Sequence, residues 1–392
     1  MIIYIDKAHI RNKKVLLRVD FNVSMQGKRI TDDARIRAAL PTIKRLLADE
    51  NKLIIVSHLG RPKGWDESLL LKPIAERLHK YIPHKRLTVI DDFTSEGAKK
   101  HFEEQKIGEI LFLENIRFFK EEEDADPKFA KKLADLADVY VNDAFGVSHR
   151  DCASITEVPK LLPHYGGLLM EREVETIGHA LAHPAHPFAA IIGGAKVSTK
   201  LKLLYKLTEI ADFLILGGGL ANTLLFSLGY PVGKSLCEKD MIDDVKKIVR
   251  HAKEKHTKIL LPRDVVVGNK DDGESAGIVK KITDVKAHDT ILDIGPEAQA
   301  DYAKAILSSK TLIWNGPVGY IENPEYARGT NFLYYTISQN KNMLSIVGGG
   351  DTLAAIDKME YLDSISHIST GGGAMLEYIE NGTLPGIEAL KN

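Results

Sequence analysis

A glycine turn near the middle of the chain is followed by two lysines that could bind phosphate. Gly193 and Gly194 end a short apolar run, and Lys196 and Lys200 stand in the segment that resumes as an amphipathic helix. Their spacing predicts that both ammonium groups lie on one face of this helix, near the positive end of its dipole. The segment does not match the Walker P-loop motif. It favours a phosphoryl ligand, and a turn whose lysines only point into water is the alternative.

Glycines also follow most strand-like runs of the second half. Backbone without side chains at strand ends and helix starts lets a nucleotide approach the amides closely. One such turn is ordinary α/β geometry, whereas several on consecutive strands of one sheet favour a nucleotide site. The glycines are Gly193-Gly194, Gly217-Gly218-Gly219, Gly295, Gly316, Gly348-Gly349-Gly350 and Gly371-Gly372-Gly373.

Two acidic residues lie close to these turns. Asp351 follows Gly350 and precedes a helix-like segment, so it either caps that helix or holds Mg²⁺ beside nucleotide phosphates. Glu322 is either an ordinary loop acid or a hydrogen-bond acceptor for a ribose hydroxyl.

The first half places polar side chains where predicted strands end. Asp20 and Asn22 follow one β-branched run, and His58 follows another. Arginines in similar places suit phosphate or carboxylate, which their planar guanidinium groups bind in two-pronged fashion. The alternatives are solvated surface arginines and a buried, hydrogen-bonded histidine. The arginines are Arg35, Arg61, Arg117 and Arg150.

Alternating strands and helices must position these residues. Their order predicts parallel sheets with helices on both faces and ligands at the carboxyl ends of the strands. We expect an α/β fold of two doubly wound, Rossmann-like domains, at residues 1–165 and 184–377, joined by a helix over 166–183. A further helix is expected over 31–47, capped by Thr31 or Asp32. The predicted strands are 15–23, 52–57, 87–90, 110–115, 139–143, 188–192, 213–216, 259–261, 291–294, 311–314, 344–347 and 365–369.

The composition excludes several classes of protein. The 53 basic and 54 acidic side chains nearly cancel, which argues against a surface for nucleic acid or anionic lipid. Two cysteines, Cys152 and Cys237, form no disulfide framework and no zinc cluster, so a reducing compartment fits best. Residues 213–233 carry no charge but contain five glycines and a proline, and they fit a strand, a turn and a short helix better than a membrane span.

The ordered motifs of the chain resemble the phosphoglycerate kinase family. The resemblance implies reversible phosphoryl transfer between 1,3-bisphosphoglycerate and ADP, giving 3-phosphoglycerate and ATP, with Mg²⁺ on the nucleotide. It also implies a cytoplasmic, usually monomeric glycolytic enzyme, whose C-terminal tail, residues 378–392, packs on the first domain. The matching segments are Arg18-Val19-Asp20-Phe21-Asn22-Val23, Ser57-His58-Leu59-Gly60-Arg61-Pro62, Glu114-Asn115-Ile116-Arg117-Phe118, Asn142-Asp143-Ala144-Phe145-Gly146, Gly193-Gly194-Ala195-Lys196-Val197, Trp314-Asn315-Gly316-Pro317-Val318-Gly319, Gly348-Gly349-Gly350-Asp351-Thr352 and Ser369-Thr370-Gly371-Gly372-Gly373-Ala374.

The same resemblance implies roles for individual residues. Those of the phosphoglycerate site are Asp20, Phe21, Asn22, Arg35, His58, Leu59, Gly60, Arg61, Arg117 and Arg150. Those of the nucleotide site are Lys196, Lys200, Asn315, Glu322, Gly349, Gly350, Asp351 and Thr352, with Asp351 beside the metal. The catalytic groups are Arg35, Lys196 and the amides near Gly350 and Gly372. Domain closure about a hinge near Gly166 and Gly167 is expected to bring the two substrates together.

Two positions depart from the family pattern. Ser24 stands where proline is usual, and Asp151-Cys152 stand where Ala-His is usual, so the local loop geometry is in question at both.

Two other interpretations of the chain compete with the kinase. A nicotinamide-dependent dehydrogenase is disfavoured because no G-x-G-x-x-G motif with a following acid occurs at a first strand. A non-catalytic nucleotide-binding protein is disfavoured by Arg35, Lys196, Lys200 and Asp351.

Overall fold

Two units, each with a six-stranded parallel sheet, make up the chain. A computed structural model describes residues 1–269, 277–356 and 359–391. The first unit comprises Met1–Glu175 together with Asn381–Asn392, and the second comprises Thr176–Glu380. The α/β class with two parallel sheets is therefore confirmed.

The first unit contains β1 Lys14–Arg18, β2 Ser24–Gln26, β3 Arg29–Asp32, β4 Lys52–Val56, β5 Leu87–Ile90, β6 Ile110–Leu113, β7 Val139–Asn142 and β8 His164–Gly166. The sheet has the order β5-β6-β4-β1-β7-β8, while β2 and β3 pair as a separate antiparallel ribbon. All five predicted strands of this half are present. The ribbon and the short edge strand β8 were not predicted.

Six α-helices follow or separate the strands of this half of the chain. They are α1 Ala34–Ala48, α2 Lys72–Tyr81, α3 Glu96–Glu104, α4 Lys120–Glu123, α5 Pro127–Ala134 and α6 Leu168–Ala182. The division between the units falls inside α6.

The start of α1 differs from the prediction. Thr31 belongs to β3, and its hydroxyl donates to the carbonyl oxygen of Ser24 at 3.0 Å. Asp32 accepts the N–H of Ala34 at 2.9 Å, although Asp33 occupies the cap position. The prediction of Thr31 or Asp32 as the cap was wrong, because both residues belong to β3. Arg35 still lies in the first turn of the helix.

The second unit contains β9 Phe188–Ile192, β10 Phe213–Leu216, β11 Lys258–Leu260, β12 Asp264–Val267, β13 Ile278–Lys281, β14 Ile291–Ile294, β15 Thr311–Asn315, β16 Leu344–Gly348 and β17 His367–Ser369. The parallel sheet has the order β11-β10-β9-β15-β16-β17. The helices are α7 Leu201–Ile210, α8 Gly218–Ser227, α9 Ile242–Glu254, α10 Pro296–Ser308, α11 Arg328–Gln339, α12 Gly350–Ala354 and α13 Gly373–Asn381.

A small antiparallel sheet corrects one part of the glycine argument. The order β13-β12-β14 places β14 outside the parallel sheet. Gly295, which follows β14, therefore does not belong to the row of glycines at the edge of that sheet. Its backbone packs against the carboxylate of Asp264, which accepts the N–H groups of Glu297 and Ala298 at 3.0 and 2.7 Å and so caps α10.

The C-terminal segment belongs to the first unit and contains α14 Pro385–Glu388. The N–H of Gly386 donates to the carbonyl oxygen of Ser148 at 2.8 Å, and a Cβ at Gly386 would lie 2.8 Å from the side chain of Ile155. Close backbone contact is therefore what this glycine allows. Among the described residues, no helix has the length and apolar character needed to cross a membrane.

Candidate active site

Asp20 and Arg35 form an ion pair beyond the end of β1. The Asp20 carboxylate is buried; one oxygen accepts Nη1 of Arg35 and the other accepts the N–H of Asn22 at 3.1 Å. Burial alone would raise the pKa of Asp20, but the charges of Arg35 and Arg18 together with the Asn22 amide hold it below its ordinary value. Asp20 therefore stays ionised and orients Arg35, whose side chain remains 30% exposed.

The turn after His58 is fixed by three side chains from two other segments. Asn22 accepts the N–H of Gly60 at 2.9 Å, and Nη1 of Arg117 donates to the Gly60 carbonyl at 2.7 Å. Asn115 both accepts the N–H of Leu59 at 3.2 Å and donates to its carbonyl at 2.8 Å. Gly60 has a φ of +65°, which favours glycine. The turn is thus built before any ligand arrives.

Two predicted site residues contribute little beyond this scaffold. The Phe21 ring is buried and stacks on Phe112 at 6.1 Å between centroids, and its N–H donates to Ser57 Oγ at 2.9 Å. The Leu59 side chain is likewise buried in the core.

His58 is also buried, and that burial lowers its pKa well below the ordinary value, so the ring is neutral near pH 7.

Three of the four predicted arginines line one pocket of the first unit. Its volume is about 390 Å³, within the range of about 300–1,000 Å³ that is typical of small-molecule sites. Arg35 is not among the lining residues. It is tied to the turn after β4 instead, since its partner Asp20 lies 4.0 Å from Nδ1 of His58. The pocket is lined by Arg61, Arg117, Glu122, Glu123, His149, Arg150, Asp151 and Cys152.

The carboxylates of this pocket are already engaged. Glu122 is buried and accepts the N–H and Oγ–H of Ser154 at 2.8 and 2.6 Å, while Glu123 lies 3.6 Å from Nε of Arg117. Asp151 accepts the hydroxyl of Thr156. Arg61 and Arg150 are exposed, so two guanidinium groups are accessible to an anion. Burial raises the pKa of the Cys152 thiol far above its usual range, which makes this departure from the family pattern unreactive.

Lys200 lies at the start of α7 in the second unit. Its Nζ donates to the Gly193 carbonyl at 2.8 Å and to Asn315 Oδ1 at 3.3 Å. Burial lowers the pKa of Lys200 to about 8, although the charge of Asp351 opposes this change. The contacts therefore place Lys200 among the glycine turns.

Lys196 does not lie on the helix, contrary to the prediction. Residues 197–200 form a turn in which the N–H of Lys200 donates to the Val197 carbonyl at 2.8 Å, and α7 begins only at Leu201. Glu238 stabilises the turn by accepting the N–H and Oγ–H of Ser198 at 2.9 and 2.6 Å. Lys196 is consequently exposed on a loop rather than one helical turn before Lys200.

Asn315 and Thr352 are buried and connect two glycine turns. Asn315 Nδ2 donates to the Gly348 carbonyl at 3.0 Å, and Thr352 Oγ1 accepts the N–H of Gly316 at 2.8 Å. Gly349 has a φ of +104°. These side chains maintain the shape of the turns, whereas Asp351, Glu322 and Gly350 are exposed.

The glycines of the second unit fall into two groups. A Cβ at Gly193 would lie 2.0 Å from the Pro317 carbonyl oxygen, so this position requires glycine for packing. A Cβ at Gly350, Gly372 or Gly373 would meet nothing within 4 Å. The second group leaves open space beside the starts of α12 and α13, where amide groups lack helical partners.

Several supporting residues were given no role by the sequence argument. Ser57 and Asn115 stand inside the matched motifs and end predicted strands, so their polar character at strand ends was the available signal. Glu238 had no local signal, because its partner Ser198 is forty positions earlier in the chain.

Comparison with known proteins gives one consistent family. A family model described as "Phosphoglycerate kinase" matches residues 5–382. A phosphoglycerate kinase of Dictyoglomus turgidum is 46% identical over 383 residues, covering 98% of this chain and 96% of that protein. Among solved structures, the phosphoglycerate kinase from Coxiella burnetii has a TM-score of 0.88 at 37% identity, covering 100% of this chain and 99% of that one. That from Pyrococcus horikoshii has a TM-score of 0.85 at 30% identity, covering 99% and 98%.

Proposed function

The chain belongs to the phosphoglycerate kinase family, and from that premise we propose which residues bind the acid, which bind the nucleotide and which act on the transferred group. It is a phosphotransferase of glycolysis that moves a phosphoryl group reversibly between 1,3-bisphosphoglycerate and ADP, giving 3-phosphoglycerate and ATP.

The first unit binds the phosphorylated acid. Its phosphate is held by Arg61, Arg117 and Arg150, since guanidinium groups bind phosphate oxygens in two-pronged fashion and all three line one pocket. Arg35, oriented by Asp20, contacts the carboxyl end. The remaining contacts come from the built turn, through Asn22, His58 and the backbone of residues 59–60, with Phe21 supporting it from the core.

The second unit binds the nucleotide. Lys200 and Lys196 supply positive charge to the phosphates, the amides near Gly349 and Gly350 approach the phosphate chain, and Glu322 accepts a ribose hydroxyl. Asn315 and Thr352 hold the turns in place.

Asp351 is the residue that would hold Mg²⁺ on the nucleotide. Its carboxylate is exposed at the start of α12, and its charge already acts on Lys200. The described residues contain no group of three or more His, Cys, Asp or Glu side chains suited to a metal. A single carboxylate together with substrate phosphates fits Mg²⁺, which when bound would neutralise phosphate charge.

Transfer depends on positioning and on charge. Arg35 and Lys196 meet the phosphoryl group as it moves, and the amides near Gly350 and Gly372 donate to its oxygens. No general base is required, because the acceptor carboxylate is ionised at neutral pH. The reaction needs both substrates in contact and water excluded, so we include a closure that bends near Gly166, Gly167 and α6.

The observation that carries this assignment is the gathering of Arg61, Arg117 and Arg150 around one pocket, from three separate segments of the first unit. A coupled assay with 3-phosphoglycerate and Mg·ATP tests it. We expect turnover by the native chain, loss of most of that turnover in Lys196→Ala, and no change in the control Lys206→Ala, an exposed lysine paired with Glu209. A native chain without turnover, or a control that loses as much as Lys196→Ala, would reject the assignment.

We further propose that the enzyme acts as a cytoplasmic monomer on small molecules and not on nucleic acid. The near cancellation of 53 basic and 54 acidic side chains supports the exclusion of nucleic acid. Light scattering of the purified chain tests the monomer, and a dimer mass would contradict it.

A further inference from the structure

A buried arginine contacts the histidine of the acid site from within the protein. We propose that Arg18 is a positioning residue that keeps His58 in the neutral form with its proton on Nε2, so that the ring offers an N–H donor to an oxygen of the acid. The part of this inference that concerns the acid rests on the proposed function, whereas the protonation of His58 does not.

The proton position follows from donor chemistry. Nη2 of Arg18 lies 3.3 Å from Nδ1 of His58, and both residues are nearly inaccessible to solvent, at 1% and 3% exposure. A guanidinium group has donors and no acceptor. Nδ1 must therefore accept, which places the single ring proton of neutral imidazole on Nε2. An imidazolium would put two donors face to face.

A buried network holds the Arg18 guanidinium in this orientation. Its Nε donates to Ser154 Oγ at 2.8 Å and its Nη1 donates to the Val19 carbonyl at 2.6 Å. Ser154 in turn donates to Glu122 through both its N–H and its hydroxyl, and the Glu122 carboxylate lies 4.0 Å from Nη2 of Arg18. These partners leave Nη2 directed to the histidine.

One competing group favours the opposite tautomer. Asp20 Oδ1 lies 4.0 Å from Nδ1 and would attract a proton there, but this distance is beyond a hydrogen bond. The oxygens of Asp20 already accept from Arg35 and from the Asn22 amide. The charged groups that act on His58 are Asp20, Arg18, Arg117 and Arg35; burial and the three arginines lower its pKa, while Asp20 raises it.

The consequence is a donor that does not change with pH. A neutral ring with its proton on Nε2 binds a carboxylate or phosphate oxygen in the same way on both sides of neutrality. Arginines then supply all of the positive charge of the acid site, and His58 supplies direction.

Nitrogen-15 NMR of the full chain with labelled histidine tests the tautomer in the absence of substrate. His58 is assigned from the signal lost in His58→Gln. We expect a neutral ring with the proton on Nε2 from pH 6 to pH 8. A proton on Nδ1, or an imidazolium at pH 7, overturns the inference and leaves the acid site itself untouched.

The role of Arg18 is tested by Arg18→Met, which keeps the apolar stem and removes the donors. We expect the proton to shift towards Nδ1 and the pKa of the ring to rise, because the lowering charge of Arg18 is gone while burial remains. The KM for 3-phosphoglycerate should rise about tenfold with the KM for ATP unchanged. Arg18→Lys keeps a cationic donor, so its His58 signal and its KM for 3-phosphoglycerate should lie between those of Arg18→Met and the native chain. Arg11→Met, at an exposed arginine paired with Glu50, is the matched control. An unchanged His58 signal in Arg18→Met contradicts the proposal.

Ser154→Ala covers the case in which Arg18→Met does not fold. It removes one bond to Arg18 and leaves both charges of the network in place, so a smaller change of the same sign is expected in the His58 signal. No change contradicts the role of the network. A separate titration with 3-phosphoglycerate that leaves the native His58 signal unshifted would reject the acid site and not the tautomer.

Discussion

The two units hold their proposed ligands by different chemistry. The first presents guanidinium groups around a pocket, and buried polar side chains fix the turn beside them. The second presents backbone at glycine turns, with Lys200 among them. Arginine stays charged at any pH the protein meets, whereas the pKa of Lys200 is about 8. The difference indicates that the charge of Lys200 in the second unit changes near neutral pH, whereas the charges of the arginines in the first unit do not.

The scaffolds are nevertheless alike. Asn115 in the first unit and Asn315 in the second are both buried, and each binds backbone groups of a neighbouring turn. A buried amide that satisfies backbone donors and acceptors rigidifies a loop without adding charge. Function therefore differs between the units in the groups that meet the ligand and not in how the turns are supported.

Arg35→Ala is expected to give the largest effect. Removing a cation that meets the migrating phosphoryl group should lower turnover by at least about 100-fold, while ADP affinity changes less than about twofold. Steady-state kinetics and calorimetric titration with ADP measure the two quantities. Arg37→Ala on the same helix, where the arginine is exposed and paired with Asp33, is the control. Comparable losses of turnover and of ADP binding would contradict the assignment of Arg35 to the transferred phosphoryl group.

Gly193→Ala is expected to affect the second unit alone. A Cβ there would lie 2.0 Å from the Pro317 carbonyl oxygen, and overpacking of this kind costs about 1–3 kcal/mol of unfolding free energy. ADP affinity should fall with the distortion of the turn, and 3-phosphoglycerate affinity should not. Gly373→Ala is the matched control, since its Cβ would meet nothing within 4 Å. Denaturant unfolding and calorimetry give both readouts, and equal behaviour of the two variants would contradict the packing argument.

The affinities for ADP and for 3-phosphoglycerate should differ in their pH dependence, an effect smaller than those of the two substitutions above. Phosphate groups bound next to Lys200 raise its pKa, so ADP binding takes up a proton and weakens as the pH rises through about 8. The weakening approaches tenfold per pH unit at most, while 3-phosphoglycerate binding stays constant because arginines hold it. Calorimetry between pH 7 and pH 9.5 checks this, and Lys200→Met should abolish the ADP dependence. A dependence that persists in Lys200→Met would exclude Lys200 as its source.

Sequence patterns predicted the parallel sheets and the arginine pocket for the same reason. Parallel strands share one edge at their carboxyl ends, so polar residues that follow different strands, such as Asn22 and His58, must lie near one another. In the structure Asn22 binds the turn that follows His58. The pattern of apolar runs is local and survives in the structure. The ribbon β2–β3 and the sheet β13-β12-β14 were not predicted, because their short strands pair outside the alternation of strand and helix.

Long-range contacts explain what the patterns could not supply. Lys196 has helical spacing to Lys200, but the turn between them is stabilised by Glu238, a residue far along the chain. Arg18 ends a strand like many surface residues, and only tertiary structure buries it against Ser154, Glu122 and His58. Local periodicity carries no information about such partners.

Calorimetric titration of both ligands into two variants of the full chain tests the division of labour most directly. Arg61→Ala should weaken 3-phosphoglycerate binding at least about tenfold, the loss expected for one charged hydrogen-bonding contact, and leave ADP binding within about twofold. Lys200→Met should do the reverse. If either substitution weakens both ligands alike, or if 3-phosphoglycerate binds Arg61→Ala as tightly as the native chain, the assignment of the acid to the first unit and the nucleotide to the second is wrong.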